Sequence, residues 1–326
     1  MRKLAVVLVL LVSVACSSGD DDGGPGGTST PSEATAAEVR DETFTITDAQ
    51  VGELTFDALV AGDPDAAADG RLVLLLHGFP ESAESYREML PPLADAGYYA
   101  VAPSQRGYSP GARPPAVEDY NILRLVEDAV AIADVAGADT FHIVGHDWGG
   151  AVAWVTAAVH PEEVTSLTAL STPHPDAISN AMSDPAGEQS QLSGYMETFR
   201  APGSEQVFLE DGADTFVTAF SSAGLPTDKA EVYAELLATP EALGAALNWY
   251  RANPLPTDLR IGPTKVPTLY VWGTEDLAFA RSTAEATAAL VEAPYTFKEL
   301  QGRGHWLPEE APDDLTPLLL DHLGGR

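Results

Sequence analysis

The chain has 326 residues, 45% of them hydrophobic, which exceeds one average domain and suffices for a large apolar core with room for an insertion. Seventeen basic residues face 49 acidic ones, and the resulting formal charge of −32 argues against nucleic acid as a partner. With Cys16 as its single cysteine, the chain forms no internal disulfide in any compartment.

The N-terminus has a basic start, Met1-Arg2-Lys3, and an apolar run from Leu4 to Ala15. That run is shorter than the roughly 18 residues a bilayer span needs, so residues 1–15 read as an export signal. Ser13-Val14-Ala15-Cys16 resembles the lipobox of bacterial lipoproteins, with Ser13 where leucine is usual. The resemblance implies that Cys16 is lipidated and becomes the mature N-terminus, anchoring the protein to the outer face of the cell membrane. Without the lipid the protein would be secreted. Residues 16–40, rich in Gly, Ser and Asp, bury too little surface to order themselves and read as a flexible tether.

From Thr43 the alternation of Phe44-Thr45-Ile46-Thr47 and of Leu54 to Leu59 predicts two half-exposed antiparallel strands at the sheet edge. Leu72 to Leu76 is continuously apolar, as a parallel strand covered on both faces must be. His77-Gly78-Phe79-Pro80 forms its loop. The pattern then predicts a helix over 85–96, a buried strand over 98–102 and a turn-rich loop, Pro103 to Gly111, at the carboxyl end where open parallel sheets place ligands. A helix over 126–136, a strand from Phe141 and a strand over 164–170 follow. The alternation argues for an α/β fold with a mostly parallel, doubly wound sheet. Residues 172–257 switch to helical segments and read as a helical cap inserted into a core made of 41–171 and 258–326. The core resumes with a strand at 266–272, a helix at 280–291, a strand at 295–300 and a final helix from Asp313.

The most informative stretch is Phe141 to Gly150. A strand ends in Gly145-His146-Asp147-Trp148-Gly149 and an alanine-rich helix begins at once. The glycine spacing resembles the G-x-S-x-G elbow of α/β-hydrolases, in which a sharp turn lifts a nucleophile above the sheet, with aspartate in place of serine. An aspartate that merely caps the helix is the structural alternative. Asp276, with Glu275 as its competitor, follows one late strand and His305 follows the last, giving the order nucleophile, acid, histidine. An ester on Asp147 would need amide donors for its oxyanion, and the N–H groups of Phe79 and Trp148 are the expected pair.

His77-Gly78-Phe79-Pro80 resembles the H-G-x-P motif, and Gly145 to Gly149 the nucleophile elbow, of the α/β-hydrolase-fold epoxide hydrolases with an aspartate nucleophile. The resemblance extends from about Glu53 to the C-terminus. It implies two cap tyrosines that hydrogen-bond the epoxide oxygen, and Tyr195 and Tyr250 stand in matching contexts. It further implies a small apolar epoxide as substrate, a covalent ester on Asp147 hydrolysed by water that His305 and Asp276 activate, and a vicinal diol as product. No metal or organic cofactor is implied, and the spacing of His142, His146, His160, His174 and His322 gives no metal signature. The nearest alternative is a haloalkane-type dehalogenase using the same Asp–His–Asp machinery. Fluoroacetate dehalogenases resemble D-R-x-x-R after the nucleophile, whereas this chain reads Asp147-Trp148-Gly149-Gly150-Ala151. A non-catalytic lipoprotein binding an apolar ligand is the reading from another class, although it would not require His305 or Asp276.

Overall fold

The computed structural model describes residues 37–254 and 260–325. The export signal, Cys16 and nearly all of the tether lie outside those residues. Eight strands form one sheet in the order β1-β2-β4-β3-β5-β6-β7-β8. They are β1 (Arg40–Asp48), β2 (Gly52–Ala61), β3 (Leu72–Leu76), β4 (Tyr99–Pro103), β5 (Phe141–His146), β6 (Val164–Leu170), β7 (Thr268–Gly273) and β8 (Tyr295–Leu300). β1 and β2 make an antiparallel hairpin whose Phe44 pairs with Phe56 and Ile46 with Leu54, all four turned inward. β2 joins β4 antiparallel, and every later pairing is parallel.

Helices cover both faces. The central strands are buried on both sides, and alternate residues feed two separate cores: Leu72, Leu74 and Ile143 point to one, Val73, Leu75 and Val144 to the other. The covering helices include α1 (Leu90–Asp95), α2 (Ile122–Val135), α3 (Trp148–Val159) and, after the cap, α11 (Arg281–Ala286), α12 (Leu307–Glu310) and α13 (Pro312–Leu323). α2 starts four residues earlier than its apolar periodicity indicates, because the Asn121 side chain accepts the Leu123 N–H as a cap.

Two expected helices are broken. The stretch 85–96 splits into a 3₁₀ turn, Ala83–Tyr86, and the short α1, because Pro91 and Pro92 lack the N–H that a continuing helix needs and fit only its first turn. The helix expected over 280–291 ends at Ala286 and tightens to a 3₁₀ turn, Thr287–Leu290, since Val291 is drawn into an extended bridge with Thr264.

Between β6 and β7 the chain leaves the sheet, and the described residues form seven α-helices: α4 (Pro175–Ala181), α5 (Glu188–Leu192), α6 (Met196–Arg200), α7 (Ser204–Phe208), α8 (Asp214–Ser222), α9 (Thr227–Leu236) and α10 (Pro240–Ala252). α10 is the deepest. Its Trp249 is wholly buried and donates its indole N–H to the Arg106 carbonyl at 2.7 Å. Among the described residues no helix is long and apolar enough to cross a membrane.

Arg106, in the loop after β4, locks several of these pieces together. Its buried guanidinium meets Asp48 at the end of β1 and takes both oxygens of Asp128 on α2, each contact at 2.7 Å, and donates to the Asp119 carbonyl. Burial pushes the Asp128 carboxyl up to about 6 against the pull of Arg106. Burial also opposes charge on Asp48, but Arg106 and the N–H groups of Gln50 and Val51 hold that carboxyl at about 2.

Replacing Arg106 with methionine keeps volume but strands two buried carboxylates. The variant should lose about 3–5 kcal/mol of stability, read from the urea midpoint at pH 7. A shift under about 1 kcal/mol would show that the triad is dispensable.

Candidate active site

The carboxyl ends of β3, β5, β7 and β8 carry four loops to one place. β5 delivers Asp147 in a backbone conformation rare for anything but glycine, φ 48° and ψ −118°. Close packing explains the glycines around it. A Cβ on Gly145 would overlap the Gly149 carbonyl, and one on Gly149 would overlap the Leu76 carbonyl. On Gly78 it would lie 2.6 Å from Asp147 Oδ1.

Although Asp147 stands at the N-terminus of α3, its side chain makes no capping bond there. It turns instead to the loop after β3, where Oδ1 accepts the Phe79 N–H at 2.9 Å. The helix-cap alternative fails on this point. The Trp148 N–H follows directly, in the first turn of α3, where amides have no acceptor within the helix. The Phe79–Pro80 peptide is cis.

On the other side of Asp147, His305 Nε2 lies 3.5 Å from Oδ2. The His305 Nδ1 faces both oxygens of Asp276 at 3.2 Å. Asp276 is fixed in turn by the N–H groups of Ala278 and Phe279, at 2.7 and 3.0 Å, and its carboxylate is fully buried. Glu275 is exposed, so of these two neighbours the structure pairs His305 Nδ1 with Asp276.

Burial disfavours a charged imidazole, yet Asp276 and Asp147 on either side outweigh it and raise the His305 pKa well above its ordinary value. Burial likewise works against charge on Asp147, but His305, His146 and the Phe79 N–H together hold its carboxyl below the usual range.

Tyr250 on α10 and Tyr195, just before α6, close the site from the cap. Tyr250 packs edge-on against Trp148 at 5.1 Å and Phe79 at 5.3 Å. Phe199, one turn after Tyr195, fits between the two phenols, 5.3 Å from one ring and 5.0 Å from the other. Burial comes first and the Asp147 charge second in raising the pKa of both phenols, which places both in the field of that carboxylate and keeps both protonated.

A layer behind these groups escapes sequence reasoning. Glu81 Oε1 lies 2.7 Å from His146 Nδ1, with both side chains fully buried, and Glu81 Oε2 accepts the Gly78 N–H. His146 Nε2 and Ser171 Oγ both donate to the His305 carbonyl, at 2.8 and 2.7 Å. The Phe79 loop, the elbow and the histidine loop are thereby braced together. Glu309 accepts the Tyr233 hydroxyl at 2.8 Å; burial and then Glu81 raise its pKa well above the usual carboxylate range. A glutamate directly after H-G-F-P and a histidine directly before the elbow aspartate are the signals that could have marked the brace.

The other histidines are structural in placement. Burial lowers His77 to about 4, and its neutral ring donates from Nδ1 to the Gly78 carbonyl and accepts the Gln105 N–H at Nε2. His142 meets Ser166, and His174 accepts the Asp176 N–H. His160 and His322 are half-buried, and His322 donates to the Leu167 carbonyl because α13 packs on β6.

Residues 71–312 match the family described as alpha/beta hydrolase fold. The chain is 33% identical over 306 residues to Epoxide hydrolase A of Mycobacterium tuberculosis, covering 81% of this chain and 92% of that protein. It is also 33% identical to the AB hydrolase superfamily protein YfhM of Bacillus subtilis, covering 78% and 91%. Among solved structures it is similar to an epoxide hydrolase from metagenomes of hot environments, with a TM-score of 0.76, 27% identity and coverage of 87% and 99%. The chain belongs to the α/β-hydrolase-fold family, in the branch of its epoxide hydrolases.

Two carboxylates around one imidazole carry a measurable consequence. In nitrogen NMR the His305 ring should remain protonated through neutral pH. Asp276→Asn removes the leading cause of that elevation and leaves burial, which acts in the opposite sense, so the titration should move to lower pH. An unchanged titration would remove Asp276 as the controlling charge.

Proposed function

We propose that the protein hydrolyses a small apolar epoxide to a vicinal diol through a covalent ester on Asp147. The observation that carries this reading is the orientation of Asp147: it is turned away from its own helix, its Oδ1 held by the Phe79 N–H, its Oδ2 facing an imidazole backed by Asp276. The epoxide hydrolase names of the similar proteins support the choice of electrophile.

Asp147 attacks an epoxide carbon and the C–O bond opens, placing charge on the oxygen that Tyr195 and Tyr250 face. A phenol gives that alkoxide a proton. Formation of the ester removes the negative charge of Asp147, which is one cause of the raised His305 pKa, so the imidazolium gives up its proton and restores the phenol. Neutral His305 then takes a proton from water as the water oxygen attacks the ester carbonyl, whose oxyanion meets the N–H groups of Phe79 and Trp148. Collapse expels the diol oxygen, which collects the proton left on the new carboxyl group. Asp147 is again a carboxylate and His305 an imidazolium, so protons balance over the cycle.

For localisation we propose that Cys16 carries lipid and that the enzyme works on the outer face of the cell membrane, its other contacts being with the small substrate. The Ser13 to Cys16 pattern supports this.

His305→Gln should retain the first step and lose the second. After incubation with styrene oxide, intact-protein mass spectrometry should show a stable adduct on Asp147, with turnover reduced by about 10²-fold or more. Retained turnover without an adduct would overturn the mechanism. Cys16→Ala should abolish incorporation of labelled palmitate in an expressing bacterium, and wild-type protein that takes up no label would rule out lipidation.

A further inference from the structure

One buried polar group beside the site has no place in the scheme above. Tyr108 lies in the loop after β4, and that loop is rigidly held. The Tyr108 N–H donates to the Gln105 carbonyl, and Arg113 grips the carbonyls of Gly107 and Tyr108 at 2.9 and 2.7 Å. Gly107 has φ 93°, and a Cβ there would press on the Ala245 carbonyl of α10, so the turn that aims Tyr108 depends on glycine.

The ring stands between two walls of the site. It meets His77, at the base of the Phe79 loop, edge-on at 4.5 Å, and Trp249 at 6.0 Å. Trp249 in turn packs on Trp148 beside Asp147. The Tyr108 hydroxyl is buried and has no hydrogen-bond partner among the described residues. Burial first, and then the charges of Asp147 and Glu81, raise its pKa well above the ordinary range, so the hydroxyl stays protonated and able to donate.

An unpaired buried hydroxyl costs about 1–3 kcal/mol, whereas one that finds an acceptor in an arriving ligand recovers most of that cost. In the proposed reaction Tyr195 and Tyr250 already meet the epoxide oxygen. A third phenol is therefore left free to meet a different oxygen. We infer that Tyr108 is a substrate-binding residue whose hydroxyl donates to a second oxygen on the substrate, and that the site favours epoxides carrying an ether or hydroxyl oxygen next to the ring. This rests on the epoxide reading and narrows it to a substrate class.

The test compares wild type and Tyr108→Phe on phenyl glycidyl ether and on its carbon counterpart, (2-phenylethyl)oxirane, in which CH₂ replaces the ether oxygen. Wild type should prefer the ether. The variant should lose about 3–10-fold in kcat/KM on the ether, chiefly through KM, and little on the hydrocarbon. Its melting temperature should hold or rise, because the substitution removes an unpaired hydroxyl without touching the ring. Equal losses on both substrates would mean that Tyr108 serves water or the fold, and would overturn the inference, as would no loss on either. Wild type that hydrolyses neither compound would instead overturn the epoxide reading and this inference with it.

Discussion

Everything at the site depends on holding one aspartate in a backbone conformation that L-residues avoid. Such a conformation costs on the order of 1–3 kcal/mol and persists only where surrounding structure over-determines it. Here the surroundings do so by proximity. β5 ends against the first turn of α3 so closely that Gly145 and Gly149 admit no side chain, and the β3 loop passes so near that Gly78 must also be bare. The result is a carboxylate that cannot fold back onto its own helix and stands between the Phe79 amide and the His305 ring.

Around that carboxylate the protein arranges charge economically. One imidazole lies between two carboxylates, and the phenols that face the same space are kept neutral by burial and by the nearby negative charge. In the proposed reaction no buried cation is needed to meet the alkoxide, because a neutral donor is desolvated at much lower cost than an ion. In the proposed reaction the esterification of Asp147 changes the balance from within: one of the two charges that hold a proton on His305 disappears at the step after which a neutral base is required.

The sheet was legible because its strands carry unambiguous patterns. Leu72 to Leu76 and Val164 to Leu170 read directly as buried strands, and the hairpin announced itself by alternation around Phe44 and Phe56. Helix limits were less legible, since they turn on single residues: the Asn121 cap, the Pro91-Pro92 pair and the bridge at Val291 each moved an end. Glycine spacing and chain order marked the meeting of Asp147, Asp276 and His305. The sequence named Asp276, but no pattern excluded its neighbour Glu275, which the structure turns to solvent. The brace of Glu81, His146 and Ser171 was hidden for a related reason, as its members lie far apart in sequence and meet only through the carbonyl of His305.

The cap is fastened at more than its two chain crossings. The Trp306 indole donates to the Ala223 carbonyl after α8, and Tyr233 of α9 donates to Glu309, so two cap helices hang from the short segment that begins with His305. Any ligand that lifts those helices also pulls on Trp306, the residue next to His305. Steric misfit and misalignment of the histidine therefore arrive as one event. On the proposed mechanism, selectivity is thereby exerted twice, first at entry and again at hydrolysis of the ester.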